Sequence, residues 1–188
     1  MVNRVAIMTW YCFNNYGTVL QVYSLRKMIQ SLGGDTVDVI QYIPKHKRKS
    51  ILKRFTYDNL KTKITVANDI RIQNLIKEKD NKFDVFREKY LTLSPKAYSP
   101  TDLFMLNDIY DKFVCGSDQI WSPLVFDENY FLTFVKNDSK KIAYAPSMGL
   151  SSIDSFDVKD QIKQYVAKIP YLSVRETYGQ DIIKNIQV

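Results

Sequence analysis

The 188-residue chain has little of several residue types on which common functional sites depend. Its one histidine, His46, and its two cysteines, Cys12 and Cys115, are too few for a disulfide framework or a zinc site. Both cysteines lie at the carboxyl end of a predicted strand, so we expect two packed free thiols. Metal-ligand spacing, the dinucleotide-binding glycine fingerprint, the phosphate-binding loop and the nucleophile elbow are all absent. These absences argue against the common metal, nucleotide and hydrolase sites.

Long apolar segments are also missing. No apolar run approaches the roughly 20 residues that span a bilayer. The amino terminus passes directly into a strand pattern, with no signal-peptide core or cleavage site, which predicts a cytoplasmic protein. The apolar fraction of 45% and the aromatic fraction of 13% are nevertheless enough for a hydrophobic core. This length and composition predict one globular domain.

The net charge of +7 comes from one segment, residues 45–63. This segment has eight basic residues and one acid, whereas the other 19 basic and 19 acidic residues balance. Its charge fits a solvated surface segment, contact with a phosphate-bearing substrate, or peripheral contact with an anionic membrane. No nucleic-acid-binding motif accompanies it, so nucleic acid is not an expected partner. His46 lies inside this segment and is expected to be a solvated neighbour of lysines.

Apolar patterning predicts an α/β fold. Buried strands are predicted at residues 5–10, 37–40, 109–115, 141–145 and 170–174, and residues 130–135 fit either a strand or buried coil. Helices are predicted at residues 18–32, 66–90, 100–106 and 155–167, and again after residue 176. Together they predict a single Rossmann-like domain over residues 1–188, with a mostly parallel sheet and helices on both faces. Residues 45–93 are expected to form a basic, helical excursion from this domain.

Four polar clusters follow predicted strands, and in a parallel sheet they would share one edge. The clusters are Asn14-Asn15-Tyr16-Gly17, Gly116-Ser117-Asp118-Gln119, Ser147-Met148-Gly149 and Arg175-Glu176. The first opens a helix, whose free N–H groups favour an anion. Arg175 offers a bidentate cation for phosphate or carboxylate. Asp118 fits a general base or a ligand for a sugar hydroxyl, and Trp121 and Trp10 offer rings for stacking.

Each cluster also has a purely structural interpretation. The Asn-Asn-Tyr-Gly segment fits an ordinary turn, and the Gly-Ser-Asp-Gln segment fits an Asx turn at the sheet edge. Arg175 and Glu176 fit an ion pair that starts a helix. The functional interpretation depends on the occurrence of all four clusters at one edge.

In content and order, these segments resemble the polysaccharide pyruvyl transferase family. The resemblance covers nearly the whole chain, and Gly116-Ser117-Asp118-Gln119-Ile120-Trp121 is its most specific part. The other matching segments are residues 14–17 followed by Leu20-Gln21, Tyr130-Phe131-Leu132 with Phe134, residues 143–149, and Ser173-Val174-Arg175-Glu176. The chain differs from the family pattern at Pro146, where a small residue is more usual, and His46 matches no family motif.

The resemblance implies transfer of a carboxyvinyl group from phosphoenolpyruvate to a saccharide, forming a pyruvate ketal in cell-wall or exopolysaccharide synthesis. It also implies one half of a GT-B architecture, because the chain corresponds to the amino-terminal, acceptor-side half of the family pattern. Phosphoenolpyruvate would be a donor substrate, and no cofactor is expected. The expected acceptor is a saccharide, free or lipid-linked, and an oligomer or partner chain would supply the second half.

On this resemblance, Asp118 is the predicted catalytic base. The predicted substrate-binding residues are Asn14, Asn15, Gly17, Gly116, Ser117, Gln119, Trp121, Ser147, Gly149, Arg175 and Glu176. Two alternatives stay open at this point. The chain fits a non-catalytic module for a sugar phosphate or nucleotide sugar, or a truncated half that needs a partner chain. A basic nucleic-acid binder is a third, weaker alternative.

Overall fold

The structure is a computed structural model, and it describes residues 3–43 and 70–187. Six parallel strands form one sheet in the order β3-β2-β1-β4-β5-β6. They are β1 (Arg4–Met8), β2 (Thr36–Gln41), β3 (Leu93–Lys96), β4 (Lys112–Cys115), β5 (Lys141–Ala143) and β6 (Tyr171–Leu172). All five strand pairings are parallel. The predicted α/β, Rossmann-like fold is therefore confirmed.

Five α-helices accompany this sheet in the described part of the chain. They are α1 (Tyr16–Ser31), α2 (Ile70–Tyr90), α3 (Pro100–Met105), α4 (Lys159–Val166) and α5 (Thr177–Gln187). Residues 130–135 form no strand: a short 3-10 helix, Glu128–Phe131, leads into a turn at Leu132. Of the two forms that the sequence allowed there, buried coil is correct.

Helices cover both faces of the sheet because side chains alternate along each strand. On one face, Val5, Ile7 and Val37 pack against Leu25 of α1. On the other, Ala6, Met8 and Phe113 belong to a larger core that also receives apolar residues of α3, α4 and α5. The central strands are thus buried on both sides, as their continuous apolar sequences indicate.

The main correction concerns residues 45–93. Residues 45–69, which include the basic segment and His46, lie outside the described residues. Residues 70–90 form the predicted helix, but residues 93–96 then form the edge strand β3, where the sequence analysis predicted no strand. Pro95 lies inside this strand, and a proline is tolerated there because β3 has only one neighbouring strand.

Several predicted boundaries move by a few residues. The third predicted strand starts at Lys112 rather than at residue 109, after a 3-10 helix at Leu106–Asp108. The fourth ends at Ala143, and α4 starts at Lys159 rather than at residue 155. No helix within residues 3–43 and 70–187 is long and apolar enough to cross a membrane.

Candidate functional site at the carboxyl edge of the sheet

The four predicted polar clusters lie at the carboxyl edge of the sheet. They follow β1, β4, β5 and β6, which are consecutive neighbours in the strand order. Because all these strands are parallel, the segments that follow them emerge on the same side. Ligands of open α/β sheets bind at this edge. The clusters therefore line one candidate site.

The amino terminus of α1 forms the first part of this site. Asn15 is the N-cap, and its side-chain Oδ1 accepts a hydrogen bond from the backbone N–H of Thr18 at 3.3 Å. Asn15, Tyr16 and Gly17 are exposed, and the first turn contains no acidic residue. The positive end of the helix dipole is thus open to an anion.

Asn14 is held by α2, an arrangement that sequence reasoning missed. Its Nδ2 donates to Asp80, and its Oδ1 accepts from Nη2 of Arg87 at 2.8 Å. Arg87 also pairs with Asp84 at 2.6 Å, and 13% of its side chain is exposed. The Asn14 amide is therefore already oriented, and it retains one Nδ2 hydrogen for a ligand. No motif marked Arg87, because a charged residue on a long polar helix is an ordinary surface feature.

Asp118 lies in the loop after β4 and is held by α1. Its Oδ2 accepts a hydrogen bond from Oγ1 of Thr18 at 2.9 Å, and its Oδ1 accepts from the backbone N–H of Gln119 at 2.8 Å. Asp118 has a φ of 80°, and Gly116 has a φ of 123°. Such left-handed backbone is costly for a non-glycine residue and clusters at functional sites. The half-buried carboxylate thus has a defined orientation.

Gln21, one turn further along α1, joins the same loop to β1. Its Oε1 accepts from the backbone N–H of Ser117 at 3.1 Å, and its Nε2 donates to Oγ1 of Thr9 at 3.1 Å. The Thr9 hydroxyl donates in turn to the carbonyl of Ser117 at 3.1 Å. These three bonds engage both backbone polar groups of Ser117, the residue that precedes Asp118. The sequence signal for Thr18 and Gln21 was available, because polar residues three apart share one face of a helix.

The loop after β5 supports the Asp118 loop from the other side. The backbone N–H of Ser147 donates to the carbonyl of Asp118 at 2.9 Å, and the buried Ser147 Oγ accepts from the N–H of Gly149 at 2.9 Å. Gly149 has a φ of 69°, and a Cβ there would lie 3.1 Å from the side-chain amide carbon of Gln119. Ser147 is therefore a structural link, whereas Gln119 is exposed at the edge.

Arg175 and Glu176 lie at the outer end of the site. Nε of Arg175 donates to Oε1 of Glu176 at 2.8 Å, and the two side chains are 44% and 17% exposed. Helix α5 begins at the next residue, so the pair does start a helix. Among the described residues, the buried Oε2 of Glu176 has no hydrogen-bond partner. The geometry fits both an ion pair and a cation presented to the edge.

Trp121 has a different place from the one that sequence reasoning assigned. Its side chain is fully buried, its Nε1 donates to the carbonyl of Tyr130 at 3.0 Å, and its ring stacks on Phe131 at 4.9 Å. A ligand has no surface of this ring to contact, so Trp121 supports the site from the core. Trp10 is half-buried and meets Tyr130 edge-on at 6.4 Å, which leaves it as the tryptophan nearer the solvent.

Burial governs the protonation of the groups beneath the edge. The two cysteines are free, as predicted, and burial raises the pKa of the Cys115 thiol well above its ordinary value. Burial likewise raises the pKa of Tyr11, although the charge of Arg87 acts in the opposite direction. The Cys115 thiol and the Tyr11 hydroxyl are therefore neutral at physiological pH. Within residues 3–43 and 70–187, no three histidine, cysteine or acidic side chains are grouped as metal ligands.

A family model described as polysaccharide pyruvyl transferase matches residues 15–188. The match includes every predicted site residue except Asn14, which immediately precedes it. No curated protein and no solved structure matches the chain.

Proposed function

The chain belongs to the polysaccharide pyruvyl transferase family, and from this we propose that it acts in transfer of a pyruvyl group from phosphoenolpyruvate to a saccharide. The product would be a pyruvate ketal of a cell-wall polysaccharide or exopolysaccharide. The acceptor would be a free or lipid-linked saccharide. Support comes from the family match and from the chemistry that the carboxyl edge offers.

The proposed reaction sets clear demands on the site. Two hydroxyl oxygens of the acceptor bond to C2 of phosphoenolpyruvate, and C3 takes up a proton to become a methyl group. The bond from C2 to the phosphate oxygen breaks, and inorganic phosphate leaves. The two acceptor hydroxyl groups release two protons. One balances the proton that C3 takes up, and the other goes to phosphate or solvent. The site must therefore hold two anionic groups and accept a hydroxyl proton.

The position of Asp118 is the observation that carries this proposal. Its carboxylate lies beside the amino terminus of α1, where Thr18 fixes it through a 2.9 Å hydrogen bond. A carboxylate in this place is suited to accept the proton of an attacking hydroxyl. The first turn of α1 and the guanidinium of Arg175 would bind the carboxylate and phosphate of the donor.

The test is a turnover assay on the full chain. The chain is incubated with phosphoenolpyruvate and a panel of saccharides, lipid-linked saccharides included, and phosphate release and ketal formation are measured. Asp118→Asn is expected to lower turnover about 100-fold or more, because it removes the proton acceptor. Asparagine tolerates a positive φ and still offers an oxygen to Thr18, so the fold should persist.

Asp108→Asn is the matched control, because Asp108 has an exposed carboxylate away from this edge. It should turn over like the parent chain. Equal turnover of the Asp118 and Asp108 variants would contradict the assigned role of Asp118. Ligand binding without any turnover would instead favour the non-catalytic or partner-dependent alternative.

A further inference from the structure

A second concave surface lies at the same edge of the sheet, over the ends of β2 and β3. It is a groove of about 330 Å³. Tyr42 follows β2 directly, and Tyr98 and Ser99 follow β3. Asn129 and Thr133, from the chain beyond β4, form the opposite wall. No sequence motif marked this groove, because its walls come from three separate segments.

Its polar floor is built around a buried carboxylate. Asp127 is fully buried, and its Oδ2 accepts from the hydroxyl of Tyr42 at 2.7 Å. Its Oδ1 accepts from Nδ2 of Asn129 at 2.9 Å, and the same Nδ2 also donates to the Tyr42 hydroxyl at 2.9 Å. Both hydrogens of the Asn129 amide are thereby used. The amide oxygen is left as an oriented acceptor for a hydroxyl group.

An aromatic ring stands at the rim of the groove. Tyr98 is 41% exposed although its backbone is tightly held. Its N–H and that of Ser99 both donate to Oδ2 of Asp102, at 3.1 and 2.9 Å, and Oγ of Ser99 accepts from the N–H of Asp102. This capping box fixes the start of α3. The ring is thus an exposed apolar surface on a rigid support.

The lining indicates the chemical class of the ligand. An aromatic face with amide and hydroxyl groups around it suits a molecule that has both C–H faces and hydroxyls. Sugar rings present such C–H faces together with hydroxyl groups, so a saccharide fits this lining.

Aromatic contacts through the buried Tyr130 connect the floor of the groove to Trp10 beside the candidate site. Tyr42 meets Tyr130 at 5.9 Å between ring centroids, and Tyr130 meets Trp10 at 6.4 Å. The groove lies over β2 and β3, and Asp118 follows β4. Because β3 and β4 are three strand spacings apart, the two places are separated by roughly 14 Å. One saccharide of several units would reach both.

We propose that this groove is a saccharide subsite that binds sugar units of the acceptor next to the unit that reacts. The inference rests on the proposed function, since it assigns the acceptor's remaining units to Tyr98 and Asn129. Such remote contacts would select the acceptor and raise its affinity, while the chemistry takes place at Asp118.

Ligand-observed NMR on the full chain tests this assignment. The probes are neutral mono-, di- and trisaccharides of hexoses and N-acetylhexosamines, with phosphoenolpyruvate titrated separately. Tyr98→Ala is expected to weaken saccharide binding about tenfold, because it removes the stacking ring. Tyr98→Phe should bind like the parent. Tyr171→Ala, which removes an exposed tyrosine from the far edge strand β6, is the matched control. Circular dichroism verifies that each variant is folded.

Two outcomes would overturn the subsite: no saccharide of the panel binds, or Tyr98→Ala binds as tightly as the parent. Failure of the proposed function has a different signature. If Tyr98→Ala weakens saccharide binding while Asp118→Asn leaves turnover intact, the subsite stands and the role of Asp118 fails. If Asp118→Asn abolishes turnover while Tyr98→Ala binds normally, the function stands and the subsite fails.

Discussion

The loop after β4 and the turn after β6 both bring polar residues to the carboxyl edge, but they are held very differently. The β4 loop is tied by side chains of α1 on one side and by the backbone of the β5 loop on the other. The turn after β6 follows a two-residue edge strand, and its Arg175 pairs with the adjacent Glu176.

This difference separates two kinds of site residue. Asp118 is held by its neighbours in one orientation, which suits a group that must meet a reacting atom with precise geometry. Arg175 is 44% exposed and retains freedom to adjust, which suits a cation that gathers an anionic ligand. We therefore expect substitutions in the β4 loop to affect folding and function together, and substitutions after β6 to affect function almost alone.

Gly116→Ala should have the largest effect on stability. A Cβ at this position would lie 2.0 Å from the backbone carbonyl oxygen of Tyr144, and the φ of 123° is unfavourable for alanine. We expect a loss of about 3 kcal/mol or more in the free energy of unfolding, measured by chemical denaturation.

Gly33→Ala separates the two causes of that loss. Gly33 has a φ of 95°, but a Cβ there would meet nothing within 4 Å. It should lose only about 1 kcal/mol, from the backbone conformation alone. If both variants lost the same amount, the close packing of the β4 loop against β5 would not contribute as argued.

Thr18→Val should have an intermediate effect on stability and a clear effect on turnover. Valine keeps the shape of threonine but removes the hydroxyl that donates to Asp118. We expect a loss of about 1–2 kcal/mol in denaturant unfolding, typical of a hydrogen bond to a charged group at a half-buried position. Under the proposed function, kcat should fall more than KM rises, because the substitution frees the carboxylate rather than removing a substrate contact.

Thr18→Ser is the matched control, since serine restores the hydroxyl while it lacks the methyl group. Recovery of turnover by serine would assign the effect to the hydrogen bond. If valine and serine were equally impaired, packing of the methyl group at the base of α1 would explain the loss instead.

The sequence alone predicted the central strands of the sheet and the edge at which the four polar clusters lie. Long apolar runs and the parallel connection of β1 to β2 through α1 predict these features directly. Strand β3 could not be predicted, because a four-residue edge strand that contains Pro95 lacks an apolar run. Its place is decided by pairing with β2, which is a tertiary interaction.

The candidate site likewise has features that the sequence predicts and others that depend on tertiary packing. The residues after each strand were predicted from their types and order, but the partners that orient them were not. Thr18, Gln21 and Arg87 reach the site from helices, and their roles depend on how α1 and α2 pack. Trp121 illustrates the converse, because sequence position placed it near the edge while packing buried its ring beneath the site.

Arg175→Gln should have the smallest effect on stability and still impair function. An ion pair of this exposure contributes little, so we expect a change within about 0.5 kcal/mol in denaturant unfolding. Under the proposed function, the affinity for phosphoenolpyruvate should fall about tenfold, because a charge-assisted contact to an anion is lost. The measurement is a titration monitored by the fluorescence of Trp10 in a Trp121→Phe background.

Arg26→Gln provides the contrast for this last variant. Arg26 donates to the backbone carbonyl of Val37 at 2.8 Å and to the hydroxyl of Thr92 at 2.5 Å, so it is a structural arginine remote from the carboxyl edge. It should lose stability while its affinity for phosphoenolpyruvate stays at the parent value. Should Arg175→Gln instead unfold easily and bind the donor normally, the turn after β6 would be a structural element like the β4 loop, and the distinction between the two regions would fail.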